Sequence, residues 1–279
     1  MRKLLVIAAS AVLLSTSAYA DMTVGGAIRY DLTKADGATT TSGISKSEIT
    51  FGASEDLGNG MSVAAKVGVN GLGRGETVAG TDATISISGG FGSVRVGQIE
   101  AGNGIIGRGL GGAPVIGADG TVLAGSVNLD SLKYTAPTIG GLTASIGASR
   151  KVDATTDYSY TAALSGAVAG VNAGVDYNET SKRVRVSAST ELAGLTVGAG
   201  WSGNETGKDD SSVFGVSMPF GAMTVGAARS IGNGTANEFG VKYALAKSTS
   251  VQFAYQDVTG NSTAANNTST ARVRLEYKF

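Results

Sequence analysis

Residues 271–279 read ARVRLEYKF. Ala271, Val273, Leu275, Tyr277 and Phe279 fall on one side of an extended backbone, and Arg272, Arg274, Glu276 and Lys278 on the other. That is the period-two alternation of a β-strand with one apolar and one wet face. The same split recurs along the chain. Residues 23–32 set Val24, Ile28 and Tyr30 against Thr23, Ala27, Arg29 and Asp31, and residues 44–55 set Ile49, Phe51 and Ala53 against Lys46, Glu48, Thr50 and Ser54. From Met61 onward, Met61, Val63, Ala65, Val67 and Val69 oppose Ser62, Lys66 and Asn70. Shorter versions follow at Ile85 and Ile87, over 93–98 with Arg95, and over 131–136, where Leu132 and Tyr134 oppose Lys133 and Thr135. The pattern predicts further strands at 142–149, 158–165, 171–178, 183–190, 195–202, 213–218, 223–230, 238–245 and 251–257.

In a soluble sandwich the apolar faces would meet a second sheet. Here nearly every segment also carries a wet face of Gly, Ser, Thr and charge. The body that satisfies all of them is a closed antiparallel sheet, apolar outside and wet inside. The count is sixteen strands. Short turns at 57–60, 89–92, 137–141, 167–170, 193–194, 220–222 and 246–249 alternate with longer polar connections such as 33–43, 205–211, 231–237 and 258–270. An even strand number with short turns at one end and longer loops at the other marks a transmembrane barrel of the outer-membrane kind, turns toward the periplasm. Strands of about 8 to 11 residues suit a tilted bilayer crossing. Tyr30, Tyr177, Trp201 and Tyr255 are expected near the outer rim, and Tyr134, Phe220, Tyr277 and Phe279 near the inner one, as aromatic girdles.

The longest break in the rhythm is 99–130, rich in glycine and carrying Glu100, Arg108 and Asp119. A connection this long inside a compact domain is usually functional. Gly102, Gly104 and Gly107 match the spacing of a dinucleotide fingerprint, but no helical pattern follows them, as that motif requires.

Composition narrows the chemistry. The chain has 279 residues, 43 Gly, 3 Pro, no Cys and no His. Each glycine weakens a helix by about 1 kcal/mol relative to alanine, which excludes a helical bundle. After the N-terminus no run approaches the roughly 20 apolar residues of a spanning helix. Without His, most zinc sites and the Ser-His and Cys-His nucleophile pairs are gone, so no enzyme and no cofactor is expected. Arg2 and Lys3, the apolar run from Leu4 to Leu14, and Ala18-Tyr19-Ala20 form a secretory signal peptide over 1–20, leaving 21–279 as the barrel. The remainder carries 20 basic and 22 acidic side chains, a balance foreign to nucleic-acid binding.

The residues resemble the general porins of Gram-negative outer membranes over the whole mature chain. Ser47-Glu48-Ile49-Thr50-Phe51-Gly52, followed by Glu55-Asp56-Leu57-Gly58-Asn59-Gly60, is similar to that family's second strand and first turn. Phe91-Gly92-Ser93-Val94-Arg95-Val96-Gly97-Gln98 resembles its strand before the constriction loop. Residues 128–137, with Ser131, Tyr134, Thr135 and Pro137, resemble the re-entry strand. Tyr277 and terminal Phe279 resemble the signal read by the barrel-assembly machinery. The resemblance implies a sixteen-stranded barrel in outer-membrane lipid and lipopolysaccharide, a homotrimer, and a third loop folded inward to narrow the pore. By position that loop is 100–129. Acidic residues on it typically face arginines across the lumen. Two positions often basic in the family are Glu48 and Gln98 here, which thins that ladder. Inward parity offers Arg29, Lys66, Arg95, Lys133, Arg183, Arg185, Arg272 and Arg274 in their place.

The expected function is a water-filled channel for passive diffusion of small hydrophilic solutes and ions. A substrate-selective channel would need a stacked aromatic track or a dense ring of one charge sign. An adhesin on a barrel would need large outer loops. Lysines and arginines outnumber carboxylates on the inward positions, which also include Lys242, Lys278, Asp31, Asp176, Glu238 and Glu276. Weak anion preference is therefore expected.

Overall fold

Six of the hairpin connections are two residues long, and in three of them the backbone explains why. Asn59 and Gly60 sit at φ 55° and 74°, Ala169 and Gly170 at 51° and 80°, and Ala193 and Gly194 at 51° and 82°. Positive φ at both central residues is the type I′ turn, whose twist matches that of the flanking strands. In the computed structural model, which describes residues 20–73, 75–101, 106–117, 127–152, 157–204, 210–260 and 268–279, such turns tie strands into one closed sheet. Residues 1–19 of the expected signal peptide, and Asp119, lie outside the described residues.

The strands are β1 (Asp21–Ala35), β2 (Thr41–Gly58), β3 (Met61–Asn70), β4 (Ala79–Gly89), β5 (Gly92–Ala101), β6 (Val127–Thr135), β7 (Leu142–Lys151) and β8 (Ser159–Val168). They continue as β9 (Val171–Asn178), β10 (Arg183–Leu192), β11 (Leu195–Asn204), β12 (Ser211–Phe220), β13 (Met223–Ile231), β14 (Thr235–Ala246), β15 (Thr249–Thr259) and β16 (Thr268–Lys278). Each pairs antiparallel with its chain neighbours, and β1 pairs with β16 to close the barrel. A closed sheet leaves no edge, so every ladder group finds a partner in the bilayer.

The alternation gives the barrel its two faces. Phe51, Ile85, Leu132, Ile146, Phe214 and Leu275 stand outward and exposed, while the inward Ser187, Ser217 and Ser230 are buried. Tyr30, Tyr177, Trp201 and Tyr255 are exposed toward the end of the long connections; Phe220, Tyr277 and Phe279 are exposed toward the end of the tight turns. At the seam, Gly26 N–H donates to Phe279 O at 2.9 Å and Phe279 N–H to Gly26 O at 3.2 Å. A β-carbon at Gly26 would lie 2.6 Å from Phe279 Cζ, so glycine lets that ring cover the junction. Tyr277 stacks beside it, ring centres 6.0 Å apart.

The strands outrun the alternation at the loop end. The expected loop 33–43 is mostly ladder, with Thr33 opposite Thr41 and Ala35 opposite Thr270. The expected loop 99–130 loses its ends to pairing, Ile99 with Leu129, Glu100 with Asn128 and Ala101 with Val127. Beyond the bilayer both faces of a strand meet water, so apolar alternation stops while hydrogen bonding continues.

Candidate functional site

The third long connection enters the lumen, where residues 106–117 lie along the inner wall from β9 to β16. A 3₁₀ turn, Ile106–Leu110, packs on β10, β11 and β12. It sits there because the wall is bare. Gly174 on β9 and Gly198, Gly215, Gly226 and Gly240 on β11 to β14 face inward, and a β-carbon at any of them would collide with the loop. At Gly215 it would overlap Leu110 O, at Gly240 Pro114 O, and at Gly226 it would come within 2.8 Å of Ala113 Cβ. Glycine inside a strand often marks such a close backbone approach.

Polar side chains then hold the loop by its main chain. Gln252 Nε2 donates to Pro114 O at 2.6 Å and to Val115 O at 3.2 Å. Gln256 Nε2 donates to Gly117 O at 3.0 Å, and Gly117 N–H donates to Glu238 Oε2 at 2.7 Å. Ser217 Oγ donates to Gly111 O. Leu110 rests on inward Val213, Ala236 and Val258, all essentially inaccessible, a small apolar cluster under the loop. Each neutral hydrogen bond contributes about 0.5–1.5 kcal/mol, so the set fixes the loop against one half of the wall.

Of the residues expected at the constriction, three arginines are matched by carboxylates directly opposite in the ladder. Arg29 pairs with Glu276, which Lys278 also approaches at 3.5 Å. Arg274 makes a bidentate bridge to Asp31 at 2.6 and 2.7 Å, and Arg185 one to Asp176 at 2.6 and 2.9 Å. Glu48 faces inward and is held by Lys46 at 2.6 Å and by Thr50 Oγ1 at 3.2 Å. Lys66 approaches Asp82 at 4.0 Å. Arg272 belongs to the loop's support instead, donating to Val115 O at 3.4 Å. Arg108, on the loop, donates to Ala173 O at 3.0 Å and lies over Gly174. Glu100 is the penultimate residue of β5, and its N–H donates to Asp82 Oδ1 at 2.9 Å.

Gln98 requires a correction. It lies on the outer face, opposite Ala83 and Asp130, with Nε2 donating to Asp130 Oδ1 at 3.0 Å. The register runs unbroken from Ser93 to Gln98, so the odd step of three residues from inward Arg95 turns it out of the lumen. Arg150 bridges the same Asp130 at 3.4 Å on that outer face.

Among the described residues, two wet regions carry opposite bias. Between β5 and β10 a cavity of ≈ 680 Å³ is lined by Arg95, Arg108, Lys133, Arg183 and Arg185, with Asp176 as its one carboxylate among the described residues. Between β2 and β4 a cavity of ≈ 580 Å³ brings Lys46 and Lys66 together with Glu48, Glu76, Asp82 and Glu100. Pattern reading missed the loop's holders Gln252 and Gln256, and took Glu238 as wall charge only. The inward parity of four glycines on the neighbouring strands β11 to β14, with Gly174 on β9, was the available signal. As a check on the ion pairs, Asp31→Asn is expected to destabilise the barrel by about 1–3 kcal/mol, because Arg274 loses a charged acceptor in a half-buried setting. Urea unfolding followed by the gel shift of folded protein measures it; an unchanged midpoint would show the bridge to be idle.

A family model described as Gram-negative porin matches residues 6–279. No curated protein matches the chain. Among solved structures, a five-substitution variant of the Rhodopseudomonas blastica porin aligns with a TM-score of 0.76 at 17% identity, covering 93% of this chain and 100% of that one. A triple variant of the same porin gives 0.73 at 18% identity over the same shares.

Proposed function

The chain belongs to the Gram-negative porin family, and on that premise we propose that it is a constricted diffusion channel with weak anion preference. It forms an outer-membrane pore through which small hydrophilic solutes and ions pass down their gradients. A sixteen-stranded barrel is too wide for its own side chains to fill, so water occupies the rest. The observation that carries the reading is the loop 106–117 laid on the glycine-lined wall, which leaves the passage to the charged strands opposite. Selectivity follows from charge in a narrow path with low-dielectric walls. Cations that already have a carboxylate opposite contribute little net field at distances beyond the roughly 10 Å screening length of 0.1 M salt. The excess lies on the β5–β10 side, and its sign is positive.

Three further features belong to the same proposal. Residues 1–20 direct export and are removed. The mature chain assembles as a homotrimer, as the family resemblance implies, with its outer face in lipid and lipopolysaccharide. Phe279, with Tyr277 beside it, is the element read by the barrel-assembly machinery. The test of selectivity is the reversal potential of purified protein in a planar bilayer under a salt gradient. Replacing Arg183 and Arg185 together by glutamine is expected to move it toward cations, in part because Asp176 then loses its counter-charge. A wild-type channel already selective for cations would overturn the anion preference.

A further inference from the structure

Two ladder positions among the described residues set cation against cation, Arg29 opposite Lys46 and Arg95 opposite Lys133, but Arg29 and Lys46 are each bridged by a carboxylate, Glu276 and Glu48. Arg29, Arg185 and Arg274 each face a carboxylate directly across the ladder. Arg95 and Lys133 face each other. Like charges directly opposite, with β-carbons about 5 Å apart, destabilise a sheet. Among the described residues neither forms an ion pair. Both line the lumenal cavity between β5 and β10, whose one described carboxylate, Asp176, is engaged by Arg185. We infer that Arg95 and Lys133 form a discrete binding site for a doubly charged oxyanion on the pore wall.

The neighbourhood fits that ligand class better than it fits chloride. In register, the row across β4 to β7 reads Ser86, Arg95, Lys133, Gly147. The guanidinium presents a fork of donors that matches two oxygens of one anion, and the ammonium adds a point charge beside it. Ser86 stands next to Arg95, and Ser131, on the same face as Lys133, also lines the cavity. Their hydroxyls can donate to the remaining oxygens. Gly147 carries no side chain beside Lys133, which keeps the row open toward the lumen. Two positive charges held this close are stabilised by an anion of matching valence between them, whereas a single chloride satisfies one. The site therefore names phosphate-like oxyanions as solutes that pause at the wall during passage. It rests on the diffusion-channel reading, since the anion reaches the wall from the lumen.

The experiment uses full-length purified protein in a planar bilayer, with inorganic phosphate added at constant chloride concentration. The expected result is a saturable fall in chloride current with rising phosphate, and a similar fall with sulfate. In the Arg95→Gln/Lys133→Gln double variant the half-blocking concentration is expected to rise at least tenfold. The exchange variant Arg95→Lys/Lys133→Arg, which keeps both charges, is expected to retain the block. Gel heat-modifiability checks that each variant still folds. Wild-type current that simply follows bulk conductivity, or equal block in the double-glutamine variant, overturns the oxyanion site while leaving the channel intact. Absence of any channel current overturns the diffusion-channel reading and the site together.

Discussion

Excising residues 106–117 and bridging the gap with glycine and serine is expected to raise single-channel conductance roughly two- to threefold, because the barrel itself leaves an aqueous lumen that this loop obstructs. The barrel should survive the deletion. Its closure rests on the ladder from β1 round to β16, in which the loop has no part. What the deletion does lose is the contact of Leu110 with Val213, Ala236 and Val258, a small apolar area, and the main-chain hydrogen bonds to Gln252, Gln256 and Glu238. Folded barrels with unchanged conductance would show that the loop does not set the pore's width.

Filling the glycine wall should act in the opposite direction. In the double variant Gly215→Leu/Gly240→Leu, side chains project where Leu110 O and Pro114 O now lie. The wall cannot yield, since both positions are in continuous ladders. The loop must move, and the free space is the passage itself. Conductance is expected to fall by roughly half or more, at an overpacking cost of about 1–3 kcal/mol per site borne by the loop contacts rather than by the sheet. An unaltered conductance would mean that the loop does not press on that wall in the membrane. Together the two variants bracket the loop, one widening the pore and the other narrowing it.

The sheet was legible in the sequence because a membrane barrel imposes one rule on every strand. Lipid demands apolar side chains on one face and water tolerates small polar ones on the other, so Phe51, Ile85 and Leu132 announce their side without any partner. That rule expires at the bilayer surface, which is why the ladders beyond Leu32 and Ile99 read as loop. It also places Gln98 correctly when counted from Arg95, and its assignment to the lumen came from family position, not parity. The inward cations were legible for the same reason. Their partners were partly legible: Asp31 opposite Arg274 depends on register, which the tight turns fix only through the whole closed sheet. The loop's seat was not legible. Gly215 and Gly240 belong to different strands from each other and lie far along the chain from Pro114, and only the closed barrel brings them under it. Gln252 and Gln256 likewise gain meaning from what lies above them.

The most direct test of a water-filled channel with a positive wall is current through the purified, unmodified protein in a planar bilayer with a salt gradient across it. The expected result is discrete, ohmic conductance steps and a reversal potential displaced to the anion side. Membranes that stay silent, or steps whose reversal potential lies firmly on the cation side, would contradict it.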